Sequence, residues 1–305
     1  MNEFVHRLNY RNMLVLLHHI LGPLIKLTFT KKILLFFLKF IIPDKFCEFT
    51  IDNQKFIANP YIMPQWRSYV TDGTLPEEKM LLTFSYFCKD STVVFDIGSH
   101  WGIYALFASK NIKPDGKVFA VEANRCNFKI LLKNIEINNI NNIIPLNFAL
   151  GDKNQHQKLY EGEIKNSGSY CLNPVSSSKS KHYEVVEVRR FDDIAEPFSQ
   201  IEVVKVDIEG AEGCFIDGAI KSLKNGKIKS IFMEIHNNLS SFNYRHKDIV
   251  RKIYSYGFMV YFFENGSNNL KRFSFHNATI KPPYNIVAVL KGCDLEKRLA
   301  YHERI

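Results

Sequence analysis

The chain has 305 residues, of which 46% are hydrophobic and 23% charged, a composition typical of a globular protein. This length allows one large α/β core with a smaller appendage. The formal net charge of +9 permits an anionic surface as partner without requiring one. The six cysteines are scattered and form no C-x-x-C pair, which argues against a disulfide framework or a zinc site and favours reduced thiols in a cytoplasmic protein.

Residues 1–45 form a basic and apolar N-terminal segment. Its apolar runs, 13–25 and 33–42, are both shorter than the about 18 uncharged residues of a membrane span, and no signal-peptide cleavage site is evident. Residues 1–50 hold seven Lys or Arg against three acidic residues, a difference of +4. The segment is therefore predicted to form helices on an anionic membrane surface. Packing on the core, an oligomer contact and a true span are the alternatives.

Residues 46–90 lead into the core. The stretch from Phe46 to Ala58 alternates loosely around a turn and predicts a β-hairpin, and residues 61–73 are predicted to form a loop. A helix is expected from Pro76 to about Phe87, with Glu77 and Glu78 in its first turn, where the helix dipole favours acidic residues.

Residues 91–295 alternate between predicted strands and helices. The first strand begins at 92, and the others are 117–121, 142–147, 201–206, 228–235, 258–263 and 286–290. The helices are 127–137, 211–223 and 247–256, with a further one that begins at 103. This order predicts a Rossmann-like, doubly wound and mostly parallel sheet that closes with an antiparallel strand pair. The insertion at 150–200 contains one clear strand, 183–190, and is expected to shape the substrate pocket.

The turn after the first strand of this sheet carries the main motif. The strand ends at Asp96, and Gly98 and Gly102 follow in a D-x-G-x-x-x-G pattern. His100 breaks the dinucleotide pattern G-x-G-x-x-G, and no Gly-Lys-Ser/Thr of a P-loop follows. The spacing fits S-adenosylmethionine (SAM), whose cationic groups suit the carboxylate of Asp96. Ser99 belongs to the same predicted cofactor turn, and an ordinary strand-to-helix turn is the structural alternative.

Two further residues lie at strand ends that face the ligand crevice of an open α/β sheet. Glu122 ends the second strand twenty residues after Gly102, a position from which an acid can accept both ribose hydroxyls. Asn147 ends the third strand and either meets the adenine edge or forms a structural turn.

The fourth and fifth strands end in acidic residues. Asp207, Glu209 and Glu212 lie within six residues, and Glu212 is the first candidate for capping the helix that follows. Asp207, Glu209, Glu234 and His236 are predicted to converge beside the cofactor. Asp207 or Glu209 is the first choice for a general base, with His236 second. A divalent metal with oxygen ligands is the less favoured alternative.

These motifs resemble those of the FkbM-type SAM-dependent methyltransferase family. The matching stretches are 94–98 with Gly102, 121–122, 147–149, 205–212 with 218–219, and 234–236. The resemblance covers about residues 90–240 and departs from the family at His100 and Ala123, where Asn and Pro are usual. It implies the class I methyltransferase fold, SAM as cofactor, and O-methylation of a hydroxyl, commonly on a sugar, glycolipid or polyketide acceptor.

Two other functions compete with this interpretation. A catalytically degenerate member of the fold could serve as a membrane-associated scaffold, and SAM binding discriminates against it. A nucleic-acid methyltransferase that flips a base typically has Asn/Asp-Pro-Pro-aromatic after the fourth strand. Here that position reads Asp207-Ile208-Glu209-Gly210, and the basic residues are dispersed, so no nucleic-acid partner is expected.

Overall fold

The computed structural model describes residues 45–63, 75, 77–161, 170–172, 182–263, 270–274 and 282–302. Their main sheet has eight strands: β3 (Val93–Ile97), β4 (Lys117–Val121), β5 (Ile143–Leu146), β9 (Ile201–Val206), β10 (Ile228–Ile235), β11 (Phe258–Phe263), β12 (Leu270–Arg272) and β13 (Tyr284–Leu290). Across the sheet they lie in the order β12-β11-β13-β10-β9-β3-β4-β5. The five neighbours β10-β9-β3-β4-β5 pair in parallel, and the other three strands pair antiparallel. The predicted fold class is confirmed.

Helices cover both faces of this sheet. They are α1 (Glu78–Phe87), α2 (Ile103–Ser109), α3 (Arg125–Ile137), α4 (Phe191–Ile194), α5 (Glu212–Gly218), α6 (Ile220–Lys224), α7 (His246–Ser255) and α8 (Glu296–His302). The single helix predicted over 211–223 is wrong, because it divides at Gly218. A Cβ there would lie 2.0 Å from the carbonyl oxygen of Gly151, so the helix end packs directly on a neighbouring backbone.

The two faces of the sheet belong to two hydrophobic clusters. Val94 lies in the cluster that includes residues of α1, α2 and α3, whereas Phe95 lies in the cluster that includes residues of α4 to α7. Because both faces are covered, the central strands are apolar at almost every position. Asp96 and Lys205 interrupt this pattern, and both are buried.

The insertion forms a second, three-stranded sheet rather than the one predicted strand. Its strands are β6 (Ala149–Gly151), β7 (Gln155–Tyr160) and β8 (Tyr183–Arg190), in the order β6-β8-β7. At the start of β8, the carboxylate of Glu184 accepts hydrogen bonds from Asn124 Nδ2 at 2.6 Å and from the Arg125 amide at 3.2 Å. The insertion is therefore attached at the N-terminus of α3, directly after β4.

The predicted hairpin is present as β1 (Cys47–Ile51) and β2 (Gln54–Ala58), which pair antiparallel. A fully buried amide on α3 holds it in place. Asn134 accepts a hydrogen bond from the Ile57 amide at 2.6 Å and donates to the carbonyls of Ile57 and Trp101 at 3.2 and 2.8 Å. One side chain thus joins the hairpin, α3 and the glycine turn.

Some predictions concern residues that the structure does not describe. Residues 1–44 and most of the predicted loop 61–73 lie outside the described ranges. Within those ranges, no helix combines the length and apolar character needed to cross a membrane. Association of the N-terminal segment with a membrane surface stays a prediction.

Candidate active site

The glycine turn connects β3 to α2 and docks on the tip of β4. The amides of Gly98 and Ser99 both donate to the carbonyl of Val121 at 2.9 Å. Gly98 has a φ of +76°, and a Cβ at this position would lie 1.8 Å from the carbonyl oxygen of Asp207. Only glycine allows the ends of β3 and β9 to approach this closely.

The rest of the turn is held by short internal contacts. Ser99 Oγ donates to the Asp96 carbonyl at 2.6 Å, and the Gly102 amide donates to the Ser99 carbonyl at 2.7 Å. His100 adopts a left-handed φ of 52°, a region in which both Asn and His are enriched among non-glycine residues. The departure from the usual Asn is therefore compatible with the shape of the turn.

Glu122 adjoins this turn, as the sequence predicts. Its Oε2 accepts the His100 amide and its Oε1 accepts the Asn124 amide, each at 2.8 Å. Burial raises the pKa of Glu122 to about 7, although these two hydrogen bonds lower it. Each carboxylate oxygen keeps a second lone pair, so the side chain can also accept hydroxyl donors such as those of a ribose.

Asp96 lies at the carboxyl end of β3 and is fully buried. Neither carboxylate oxygen accepts a well-formed hydrogen bond among the described residues, although the nearby Ala105 amide and Ser99 hydroxyl lower its pKa, and Lys205 Nζ lies 3.9 Å from Oδ1. Burial raises the pKa of Asp96 to about 6, and the charge of Lys205 acts in the opposite direction. Since buried polar atoms are normally paired, this carboxylate fits a cationic ligand group such as the ammonium of SAM.

Asn147 holds the backbone after β4. Its Nδ2 donates to the carbonyls of Glu122 and Ala123 at 2.8 and 3.2 Å. These contacts are those of the structural turn that the sequence left open as an alternative. Contact of Asn147 with an adenine edge stays a prediction.

Asp207 follows β9 and pairs with a lysine that the sequence analysis missed. Lys205 Nζ donates to Asp207 Oδ2 at 3.2 Å and lies 4.4 Å from the ring centroid of Tyr104. Burial lowers the pKa of Lys205, but the charges of Asp207 and Asp96 raise it above its usual value. The available signal was a charged residue in a mostly apolar strand, two positions before Asp207.

Glu209 and His236 form a second pair. Glu209 Oε2 lies 3.0 Å from His236 Nε2. Burial lowers the pKa of His236, but the hydrogen bond and the charges of Glu209 and Glu234 raise it to about 9. His236 is therefore protonated at neutral pH and suits charge pairing better than proton abstraction.

The charges of Asp207 and Glu209 act on Glu234, and the charge of Glu212 acts on His236, while convergence of these groups beside the cofactor stays a prediction. Burial, followed by the charge of Asp207, raises the pKa of Glu234 to about 8. Glu212 Oε1 accepts the Gly210 amide at 3.0 Å, so it supports the turn that leads into α5 rather than a first-turn amide of the helix. In the part of the chain that the structure describes, no three His, Cys, Asp or Glu side chains are placed to hold a metal ion.

The His236 pair makes a testable pH prediction. Glu209→Gln should lower the pKa of His236 from about 9 towards or below 6.5, since the paired charge is removed while burial remains. Because the folded pKa is raised, the stabilisation by the pair is complete below about pH 6.5 and is lost as the pH rises through 9. NMR titration of the imidazole measures this shift, with His246 as the internal control. An unchanged pKa of His236 would contradict the pairing.

A parallel sheet whose first strand runs into a glycine turn, with an acid at the tip of the next strand, is the arrangement with which an open α/β sheet binds a nucleotide. A family model described as the methyltransferase FkbM domain matches residues 96–260. The chain belongs to the FkbM methyltransferase family, and its cofactor is SAM.

Solved structures with similar folds are distant in sequence. Precorrin-6y C5,15-methyltransferase from Geobacter metallireducens is 15% identical, with a TM-score of 0.41 over 71% of this chain and 90% of that one. Fibrillarin from Aeropyrum pernix, solved with SAM, is 12% identical, with a TM-score of 0.41 over 82% and 86%. An O-methyltransferase from Bacillus cereus, solved with S-adenosylhomocysteine (SAH), is 13% identical, with a TM-score of 0.40 over 72% and 82%. No curated protein matches the chain.

Proposed function

We propose that this protein transfers the methyl group of SAM to a hydroxyl oxygen of a sugar, glycolipid or polyketide-like acceptor. The observation that carries the proposal is the contact between the glycine turn and the acidic end of β9. Because Gly98 packs on the backbone of Asp207, a ligand seated on the turn lies beside Asp207.

The cofactor side is assigned to the residues of the turn and of the neighbouring strand ends. Asp96 pairs with the ammonium, Glu122 accepts the ribose hydroxyls, and Asn147 borders the adenine. The backbone of the turn lies against the ligand, and its residues are Gly98, Ser99, His100 and Gly102. When bound, SAM supplies a methyl group that its sulfonium already activates, so these residues mainly orient the reacting groups.

The acceptor side is assigned to the second set of acids. An alcohol is a weak nucleophile at neutral pH, so a positioned base accelerates its attack. Asp207 is the base that we favour because it lies closest to the glycine turn, with Glu209 as the alternative. His236 holds Glu209 through their 3.0 Å contact, and Glu234 lines the acceptor side.

Replacing Glu122 tests the cofactor assignment. Glu122→Gln should weaken SAM binding about 10- to 100-fold, since hydrogen bonds to charged groups contribute about 1.5–3 kcal/mol. The amide would also place a donor against one of the two backbone amides that the carboxylate now accepts. Calorimetric titration with SAM measures the loss, and Glu136→Gln on the exposed side of α3 is the matched control. Equal affinities of both variants would remove Glu122 from the cofactor site.

Two measurements test the proposed function as a whole. Calorimetry with SAM separates an enzyme from a degenerate scaffold, because a folded scaffold would release no heat of binding. Incubation with methyl-labelled SAM and separated lipid, glycan, protein and RNA fractions of the host identifies the acceptor class. Label in the glycan or glycolipid fraction supports the proposal, whereas label confined to RNA or protein overturns it.

A further inference from the structure

A layer of polar residues lies on one face of the main sheet. Asp96 on β3 is in register with Lys205 on β9, and Glu234 on β10 is in register with Asn285 on β13. The chain neighbours of each residue belong to the hydrophobic cluster on the opposite face of the sheet, the one that includes Phe95. Since side chains alternate along a strand, all four point to the face that α1 and α2 cover.

Glu77 lies beside this polar layer. It immediately precedes α1, and its Oε2 accepts a hydrogen bond from Tyr104 OH at 3.0 Å. The ammonium of Lys205 lies over the ring of Tyr104, 4.4 Å from its centroid, and the side chain of Asn285 lies close enough to Glu77 to lower its pKa. Glu77 therefore belongs to the network of the candidate active site, although it lies outside the matched family domain of residues 96–260.

The backbone at Glu77 differs from the sequence prediction. The predicted first-turn position is wrong, because α1 begins at Glu78 and Glu77 adopts a left-handed φ of 45°. This conformation is uncommon for residues with a Cβ. Glu77 makes no side-chain capping bond to α1, so its carboxylate is directed to the polar layer instead of to its own helix.

The acceptor side holds more acidic than basic side chains. Four carboxylates, those of Glu77, Asp207, Glu209 and Glu234, face two cations there, Lys205 and His236. Burial, followed by the charge of Asp207, raises the pKa of Glu77, and Glu77 contributes with Asp207 to the raised pKa of Glu234. A further negative charge would increase this repulsion, whereas hydroxyl and ammonium groups donate hydrogen bonds to carboxylates.

We propose that Glu77 is a specificity-determining residue of the acceptor site: with Glu234 it admits uncharged polyhydroxyl or amine-bearing acceptors and excludes acceptors that carry phosphate or carboxylate. The inference rests on the proposed methyl transfer and adds to it the charge class of the acceptor. It also assigns part of the acceptor site to the segment before the family domain.

The experiment uses the full chain loaded with SAH and four probes: methyl glucoside, glucosamine, glucuronate and glucose 6-phosphate. Saturation-transfer NMR should show that the first two bind and that the two anions do not. Glu77→Gln should weaken glucosamine binding at least fivefold and allow glucuronate to bind. Glu78→Gln, one residue along on the exposed surface, should match the wild type.

Several outcomes would overturn the proposal. These are unchanged affinities in Glu77→Gln, binding of the anions to the wild type as strong as that of the neutral sugar, and no binding of any probe to the wild type. Calorimetry with SAH on the same samples is a separate readout. Absent SAH binding counts against the proposed function. Normal SAH binding means that the acceptor result tests only the role of Glu77.

A second variant separates specificity from a purely structural role. Glu77→Gly relieves the left-handed backbone conformation, so the melting temperature should stay equal or rise while discrimination between glucosamine and glucuronate is lost. A lower melting temperature with unchanged discrimination would show that Glu77 only supports the fold, and would overturn the proposal.

Discussion

Gly98→Ala is expected to lower the free energy of unfolding by about 2–6 kcal/mol and to abolish SAM binding. Two costs add: about 1–3 kcal/mol for a residue with a Cβ at a φ of +76°, and about 1–3 kcal/mol for overpacking. The new methyl group would lie 1.8 Å from the Asp207 carbonyl oxygen, so the ends of β3 and β9 must separate. Chemical denaturation and calorimetric titration with SAM measure the two effects.

Gly292 offers a matched control for this substitution. It has the same φ of +76°, but a Cβ there would meet nothing within 4 Å. Gly292→Ala should therefore show only the backbone cost and leave SAM binding unchanged. If Gly98→Ala and Gly292→Ala lose the same stability and both bind SAM, the close approach of β3 and β9 has no role in the cofactor site.

Asp207→Asn is expected to lower the rate of methyl transfer about 10²- to 10⁴-fold, the usual contribution of a positioned general base. The amide oxygen can still accept the hydrogen bond from Lys205 that now spans 3.2 Å, so the fold and the affinity for SAM should change little. Turnover with labelled SAM and the active host fraction measures the rate, and calorimetry measures the binding.

Asp217→Asn is the control for this prediction. Asp217 also pairs with a lysine, Lys252, at 2.6 Å, but this pair joins α5 to α7 away from the glycine turn. Asp217→Asn should therefore leave the rate of methyl transfer unchanged. Near-normal turnover of Asp207→Asn would exclude Asp207 as the base. The turnover of Glu209→Gln would then test Glu209 as the alternative base.

The central sheet could be predicted because its strands are buried on both faces. Such strands appear in the sequence as short apolar, β-branched runs that end at glycine or acidic residues. The predicted bounds 117–121, 201–206 and 228–235 match β4, β9 and β10. The proximity of Gly98 and Glu122 also followed from the sequence, because neighbouring parallel strands end at the same edge of a sheet.

What escaped prediction depends on contacts between residues far apart in the chain. The need for a residue without a Cβ at 218 comes from the carbonyl of Gly151, and no local pattern encodes that approach. Glu77 had the ordinary signature of a first-turn acid, and only the fold brings it to Tyr104 and Asn285. The raised pKa of His236 likewise depends on Glu209, which another strand end supplies.

The amide of Asn134 limits how this protein can be cut for study. A fragment excised at the family boundary, residue 96, would lack Ile57 and leave a fully buried side chain with only the Trp101 carbonyl as partner. It would also uncover Phe107, which stacks on Phe56 of the hairpin. A fragment that keeps these contacts must therefore include the hairpin, so the segment that the family model matches is shorter than the segment that completes the core.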